Sequence, residues 1–123
     1  CLAAAIDYLN QFSFKDVMAH EEDVLEYGRQ SLQAIEGLTI YGNAQNHTSI
    51  LSFNIAGVHH YDLGTLLDTM GVAVRTGHHC TQPIMTAFGI DGTVRASLAI
   101  YNTRQDIDAL IAAIRKVLKM LGK

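Results

Sequence analysis

The run Arg75-Thr76-Gly77-His78-His79-Cys80-Thr81-Gln82-Pro83 sets one thiol beside two imidazoles and a guanidinium. A thiol acts as nucleophile or metal ligand only as thiolate, and neighbouring cations favour that charged form. Burying such a cluster for packing alone would be costly, because each polar group would need its own partner. Glycine flexibility opens the run and proline rigidity closes it. Three chemistries fit these residues: a nucleophilic or sulfur-carrying cysteine, a metal site drawing on His59 and His60, or a partly buried structural cysteine whose histidines bond to backbone. The metal reading is the weakest from spacing, since adjacent side chains diverge and neither Cys-x-x-Cys nor His-x-x-x-His occurs.

Arg95 is the second candidate. It interrupts the small, apolar stretch Val94-Arg95-Ala96-Ser97-Leu98-Ala99, where a guanidinium must find an anion. That anion is either a ligand carboxylate or a structural partner such as Asp91. Arg75 poses the same question, and both arginines would suit a small amino-acid substrate. His59 and His60 precede a helix and read as capping or surface residues. Asp62 reads as a helix-opening residue, and His20 and His47 carry no signal.

These residues need a scaffold, and the pattern supplies one. Residues 2–12 are rich in alanine and leucine and predict a helix with Leu2, Ile6 and Leu9 on one side. A second helix is predicted over 15–36, with Val17, Val24, Leu25, Leu32 and Ile35 at helical spacing and Gly37 as its cap. Gly28 within it is tolerated at some cost or marks close packing. Strands are predicted at 38–41, before a Gly42-Asn43 turn, and at 49–55, where Leu51, Phe53 and Ile55 alternate with Ser52 and Asn54. A helix carrying Leu63, Leu66, Leu67 and Met70 ends at Gly71, and a short strand at 72–74 feeds the cysteine loop. Pro83 opens a short helix to Phe88, a strand follows at 93–100, and Thr103 with Asp106 begins the last helix. Ile107, Leu110, Ile111, Ile114, Leu118 and Leu121 form its apolar stripe. The order implies an α+β fold with a small, mainly antiparallel sheet covered by helices.

The chain has 123 residues, enough for one domain with a real core. Its net charge of −3 and scattered nine Lys and Arg argue against nucleic-acid or membrane-surface partners. Arg115, Lys116, Lys119 and Lys123 read as a solvated face near the negative end of the last helix. Two cysteines, Cys1 and Cys80, make no disulfide framework, and a reducing cytoplasm is the default setting. No run approaches the roughly 20 apolar residues of a membrane span.

The stretches Val74-Arg75-Thr76-Gly77-His78-His79-Cys80 with Gln82-Pro83, and Val94 through Asn102-Thr103, resemble the C-terminal motifs of SUF-type (group II) cysteine desulfurases. These belong, with selenocysteine lyases, to the class-V aminotransferase family. Tyr61-Asp62 and the helix after it match in order and spacing, so the resemblance runs along nearly the whole chain. It implies the C-terminal small domain of a fold-type I pyridoxal-phosphate enzyme over residues 1–123, with 1–14 as a helix remnant linking to a large domain. It further implies Cys80 as the nucleophile that takes sulfur from L-cysteine (or selenium from selenocysteine) and passes it to an acceptor protein of iron–sulfur assembly. Arg95 would hold the substrate carboxylate. Arg75 would order the loop or contact substrate, and His79 and His78 would tune the loop. The full-length form would be a homodimer. Thr81 stands where many relatives carry alanine, a minor departure. The larger departure is the cofactor lysine: Lys15, Lys116, Lys119 and Lys123 lack its context. The chain alone is therefore expected to bind no pyridoxal phosphate through a lysine and to turn nothing over. Against this stands a free-standing persulfide carrier.

Overall fold

The computed structural model describes residues 2–42, 44 and 48–123, and the expectations for Cys1, Asn43 and His47 lie outside them. Along the chain come α1 (Leu2–Leu9), α2 (Phe14–Gln33), β1 (Leu38–Tyr41), β2 (Ile50–Ile55), α3 (His60–Asp68), β3 (Arg75–Gly77), α4 (Gln82–Phe88), β4 (Thr93–Ser97) and α5 (Arg104–Met120). The sheet is antiparallel throughout, in the order β1-β2-β4-β3. The expected α+β fold is the one observed.

Alternation on the strands divides the sheet into two unlike faces. Leu51, Phe53 and Ile55 of β2 and Val94 and Ala96 of β4 are buried in a single cluster. That cluster is completed by Val24, Leu25 and Leu32 of α2, Leu63 and Leu67 of α3, and Ile107, Leu110, Ile111, Ala113, Ile114 and Val117 of α5. Each fully buried Leu, Ile or Phe among them contributes roughly 1.5–3 kcal/mol relative to exposure. Ser52, Asn54 and Arg95 point the other way and are half-buried.

Helix ends follow local chemistry. At the start of α5 the Thr103 N–H donates to Asp106 Oδ2 at 2.8 Å, the reciprocal half of a capping box. Helix α4 carries Pro83 in its first turn and stops at Gly89, whose φ of +67° suits only glycine well. Helix α2 ends three residues earlier than its apolar pattern implies, and Ile35 is buried beyond its end. Gly37, at φ +75°, instead makes the turn into β1 and accepts the Ala56 N–H at 2.9 Å. On α5 the stripe includes Ala113 and Val117, whereas Leu121 lies past the helix end and is exposed. The short strand predicted at 72–74 sits instead at Arg75–Gly77, because pairing with β4 rather than apolar content decides it. The Arg115, Lys116, Lys119 and Lys123 group is exposed, as its solvated-face reading requires. All of α1 is exposed as well, so its apolar side meets no core among the described residues.

Gly28 and Gly92 differ in what they approach. A Cβ on Gly28 would lie 2.8 Å from Leu51 Cδ1, the movable end of a side chain. A Cβ on Gly92 would lie 2.7 Å from Gly77 C and 2.8 Å from both Gly77 O and His60 Nε2. Backbone cannot yield as a leucine tip can. Gly92→Ala is therefore expected to cost about 1–3 kcal/mol, the scale of overpacking. In Gly28→Ala the strain is partly offset by about 1 kcal/mol of helix propensity. Urea midpoints should fall distinctly further for Gly92→Ala, and equal midpoints would remove the β3–β4 contact as a constraint.

Candidate functional site

Strand register brings the two arginines together. Arg75 pairs with Arg95, Gly77 with Thr93, and Ser52 with Arg95 from the other side. Residues directly opposite in an antiparallel pair share a face, so Arg75, Arg95 and Ser52 form one row on the side away from the core. Like charges placed opposite each other repel. Among the described residues the only ion pair is Arg104 with Asp23, so the structural pair of Arg95 with Asp91 does not form. Arg95 Nε is buried and has no hydrogen-bond partner. This row is a cationic surface with no anionic partner among the described residues.

Beyond β3 the chain enters the cysteine loop. Gly77 has φ +111°, and His79 and Cys80 follow at +53° and +59°. Left-handed backbone costs a non-glycine residue roughly 1–2 kcal/mol, and two in succession need fastening. The Cys80 N–H donates to His78 Nδ1 at 3.1 Å. The Thr81 N–H and Oγ1 both donate to His78 O, at 2.9 and 2.8 Å. His79 Nε2 lies 2.9 Å from Thr93 Oγ1 and 3.2 Å from Thr93 O. Cys80 is thereby turned outward and exposed, its thiol free among the described residues. From the loop α4 runs toward the far edge of the sheet, where the Phe88 ring meets Tyr41 of β1 at 5.6 Å.

His60 and Thr93 are site-supporting residues that the sequence reading missed. His60 is only 7 % exposed, which corrects its reading as a capping or surface residue. Its ring stacks on His59 at 4.3 Å and packs against Tyr61 at 4.5 Å, and its Nε2 has no partner. His59 does cap, accepting the Tyr61 N–H at 3.3 Å. Thr93 is 1 % exposed because His79 covers it. Its position two residues before Arg95, on the same strand face, was the available signal. Nearby, Asn54 Nδ2 donates to Gly92 O at 2.8 Å and secures the approach to β4.

Burial pushes the pKa of His79 down, and the Arg95 charge pushes it further; the Thr93 carbonyl opposes, while Arg75 and His60 add to the lowering. Burial also lowers His60, reinforced by His59 and opposed by Asp91 and Asp62. Both imidazoles are therefore neutral at pH 7.

The four lysines stand away from the cysteine loop. Lys15 and the pair Lys116 and Lys119 are exposed on α2 and α5, across the sheet from Cys80. Lys123 Nζ donates to Ala56 O at 3.0 Å, so no lysine of the chain stands at the cysteine loop. A cavity of about 330 Å³ bordered by Tyr41, Asn54, His60 and Asp91 adjoins Gly92, and Cys80 is not among its lining residues. Among the described residues no three His, Cys, Asp or Glu side chains converge as metal ligands.

The lowered histidines make stability pH-dependent. A histidine whose folded pKa lies below its unfolded value of 6.5 binds its proton more readily when unfolded. Stability should thus be full above pH 6.5 and fall as pH drops through the folded-state values. Urea midpoints at pH 7.5 and 5.5 should differ, and His79→Asn should shrink the difference. An unchanged difference would show that His79 is not desolvated.

Residues 1–110 match the class-V aminotransferase family. A cysteine desulfurase of Pectobacterium atrosepticum is 40% identical over 121 residues, covering 98% of this chain and 30% of that protein. A probable cysteine desulfurase of Xylella fastidiosa is 43% identical over 121 residues, covering 98% and 29%. Among solved structures, an S-sulfonic acid form of a cysteine desulfurase from Escherichia coli superposes with a TM-score of 0.90 at 35% identity, over 97% of this chain and 29% of that one. The apo cysteine desulfurase of Thermococcus onnurineus gives 0.90 at 32% identity, over 96% and 30%. The chain thus spans about 30% of the length of these relatives. No described helix is long and apolar enough to cross a membrane. By its antiparallel sheet, its cysteine loop and these matches, the chain belongs to the class-V aminotransferase family.

Proposed function

We propose that the chain is the C-terminal small domain, residues 1–123, of a SUF-type cysteine desulfurase, with residues 1–14 leading from a large domain. The observation that carries the reading is the row of Arg75 and Arg95, cross-strand partners without a carboxylate, beside an outward-facing Cys80. Arg95 holds the carboxylate of L-cysteine through its planar fork, and Arg75 adds positive potential at the mouth of the loop. Cys80 attacks the substrate sulfur as thiolate. The sulfur–sulfur bond forms as the carbon–sulfur bond breaks, and the substrate thiol proton ends on carbon. L-Alanine and a Cys80 persulfide anion result. Pyridoxal phosphate, held by residues outside this chain, supplies the electron sink for that cleavage. The chain by itself is inactive.

The persulfide passes to an acceptor protein, with iron–sulfur assembly as its use and a cytoplasmic homodimer as the working form. An exposed Cys80 serves such delivery, since the acceptor thiol must reach the terminal sulfur. The same exposure favours a second reading, a persulfide carrier without catalysis of its own.

A single turnover of the full-length protein with L-cysteine and no acceptor, followed by peptide mass analysis, separates these. One sulfur added at Cys80 together with stoichiometric alanine is the expected result. Alanine without the adduct would mean selenocysteine lyase-like chemistry that bypasses the thiol, and neither product would bring the carrier forward. Cys80→Ser should abolish the adduct. Arg95→Lys keeps the charge but loses the fork, and hydrogen bonds between charged groups are worth roughly 1.5–3 kcal/mol. KM for L-cysteine should rise about 10- to 100-fold in steady-state assays; an unchanged KM would remove Arg95 as the clamp.

A further inference from the structure

Two unpartnered atoms on the polar face complement each other. His79 Nε2 lies 3.2 Å from Thr93 O, which can only accept, and 2.9 Å from Thr93 Oγ1, and the tautomer that satisfies both contacts carries its proton on Nε2. In the neutral ring Nδ1 is then a bare acceptor, and it is buried with no partner. Arg95 Nε–H is a donor, also buried with no partner. Thr93 and Arg95 lie two residues apart on one face of β4, about 6.5 Å along the strand. The ring resting on Thr93 therefore stands next to the arginine. A guanidinium that grips a carboxylate end-on uses its two terminal nitrogens and leaves Nε–H free.

We infer that His79 is a positioning residue for Arg95: when the guanidinium takes a carboxylate end-on, Arg95 Nε–H donates to His79 Nδ1, and Thr93 holds the imidazole in the tautomer that can accept. The substrate named in the test rests on the desulfurase reading; the hydrogen bond itself requires only a carboxylate. This role differs from fastening the loop, because fastening uses Nε2 and positioning uses Nδ1.

That difference makes the test. In His79→Asn, Oδ1 replaces Nδ1 as acceptor while the bond to Thr93 is lost, and asparagine tolerates the local φ of +53°. In His79→Gln, the amide nitrogen replaces Nε2 as donor to Thr93 while the acceptor toward Arg95 is lost. In the full-length enzyme, Asn should keep KM for L-cysteine within about threefold, whereas Gln should raise it about tenfold with a smaller change in kcat. Alkylation of Cys80 by iodoacetamide should stay close to the parent rate in Gln, which keeps the bond to Thr93 that fastens the loop. Equal KM values, a lower KM for Gln than for Asn, or a rise in KM matched by altered alkylation would overturn the inference. Nitrogen NMR of histidine-labelled, unmutated enzyme provides a readout independent of turnover. The His79 Nδ1 resonance should be that of an unprotonated nitrogen, and should move on titration with acetate but not in Arg95→Lys. A proton on Nδ1, or no movement with acetate, overturns the inference. Failure of the unmutated enzyme to form a persulfide would remove the desulfurase reading and leave the acetate experiment to decide this one.

Discussion

The pairing of β3 with β4 is the constraint on which the rest of the site depends. It is only three residues long, yet it sets Arg75 across from Arg95 and Gly77 across from Thr93. The backbones at Gly77 and Gly92 lie too close for any side chain on the latter. That approach delivers the chain to the cysteine loop from one fixed direction. A longer or looser connection would let the thiol wander relative to the arginines. Orientation of reacting groups can supply several kcal/mol toward a barrier, and it is cheapest when set during folding.

The site is electrostatically unfinished. Two guanidiniums face each other without a carboxylate, two consecutive residues hold left-handed backbone, and several buried polar atoms lack partners. Each of these opposes folding, and the apolar cluster on the other face of the sheet outweighs them. A carboxylate placed on this row would relieve the repulsion and engage an orphaned guanidinium. A neutral His79 fits this arrangement, because a third cation beside Arg75 and Arg95 would deepen the repulsion.

Much of this was legible before any coordinates. Alternation in residues 49–55 and the stripe on α5 gave strand and helix because burial follows periodicity. Cys80, Arg75 and Arg95 could be named as candidates because a thiol beside cations and an arginine in an apolar strand each need a partner. What stayed hidden depends on tertiary pairing. Arg75 and Arg95 are 20 positions apart, and only register makes them neighbours. Strand β3 was misplaced because Val72 and Val74 look more strand-like than Arg75 and Thr76, though the ladder bonds belong to the latter. His60 reads as a surface residue until Gly92 closes over it.

The two faces of β4 carry a consequence for how the protein can change. Val94 and Ala96 belong to the core, while Thr93 and Arg95 belong to the polar face, and the two sets alternate without interruption. Sliding the strand by one residue would drive the guanidinium into the apolar cluster and turn Val94 toward the loop. Any drift in the placement of Arg95 relative to Cys80 thus becomes a failure to fold. Positional accuracy at the polar face is guarded by residues that never touch a ligand.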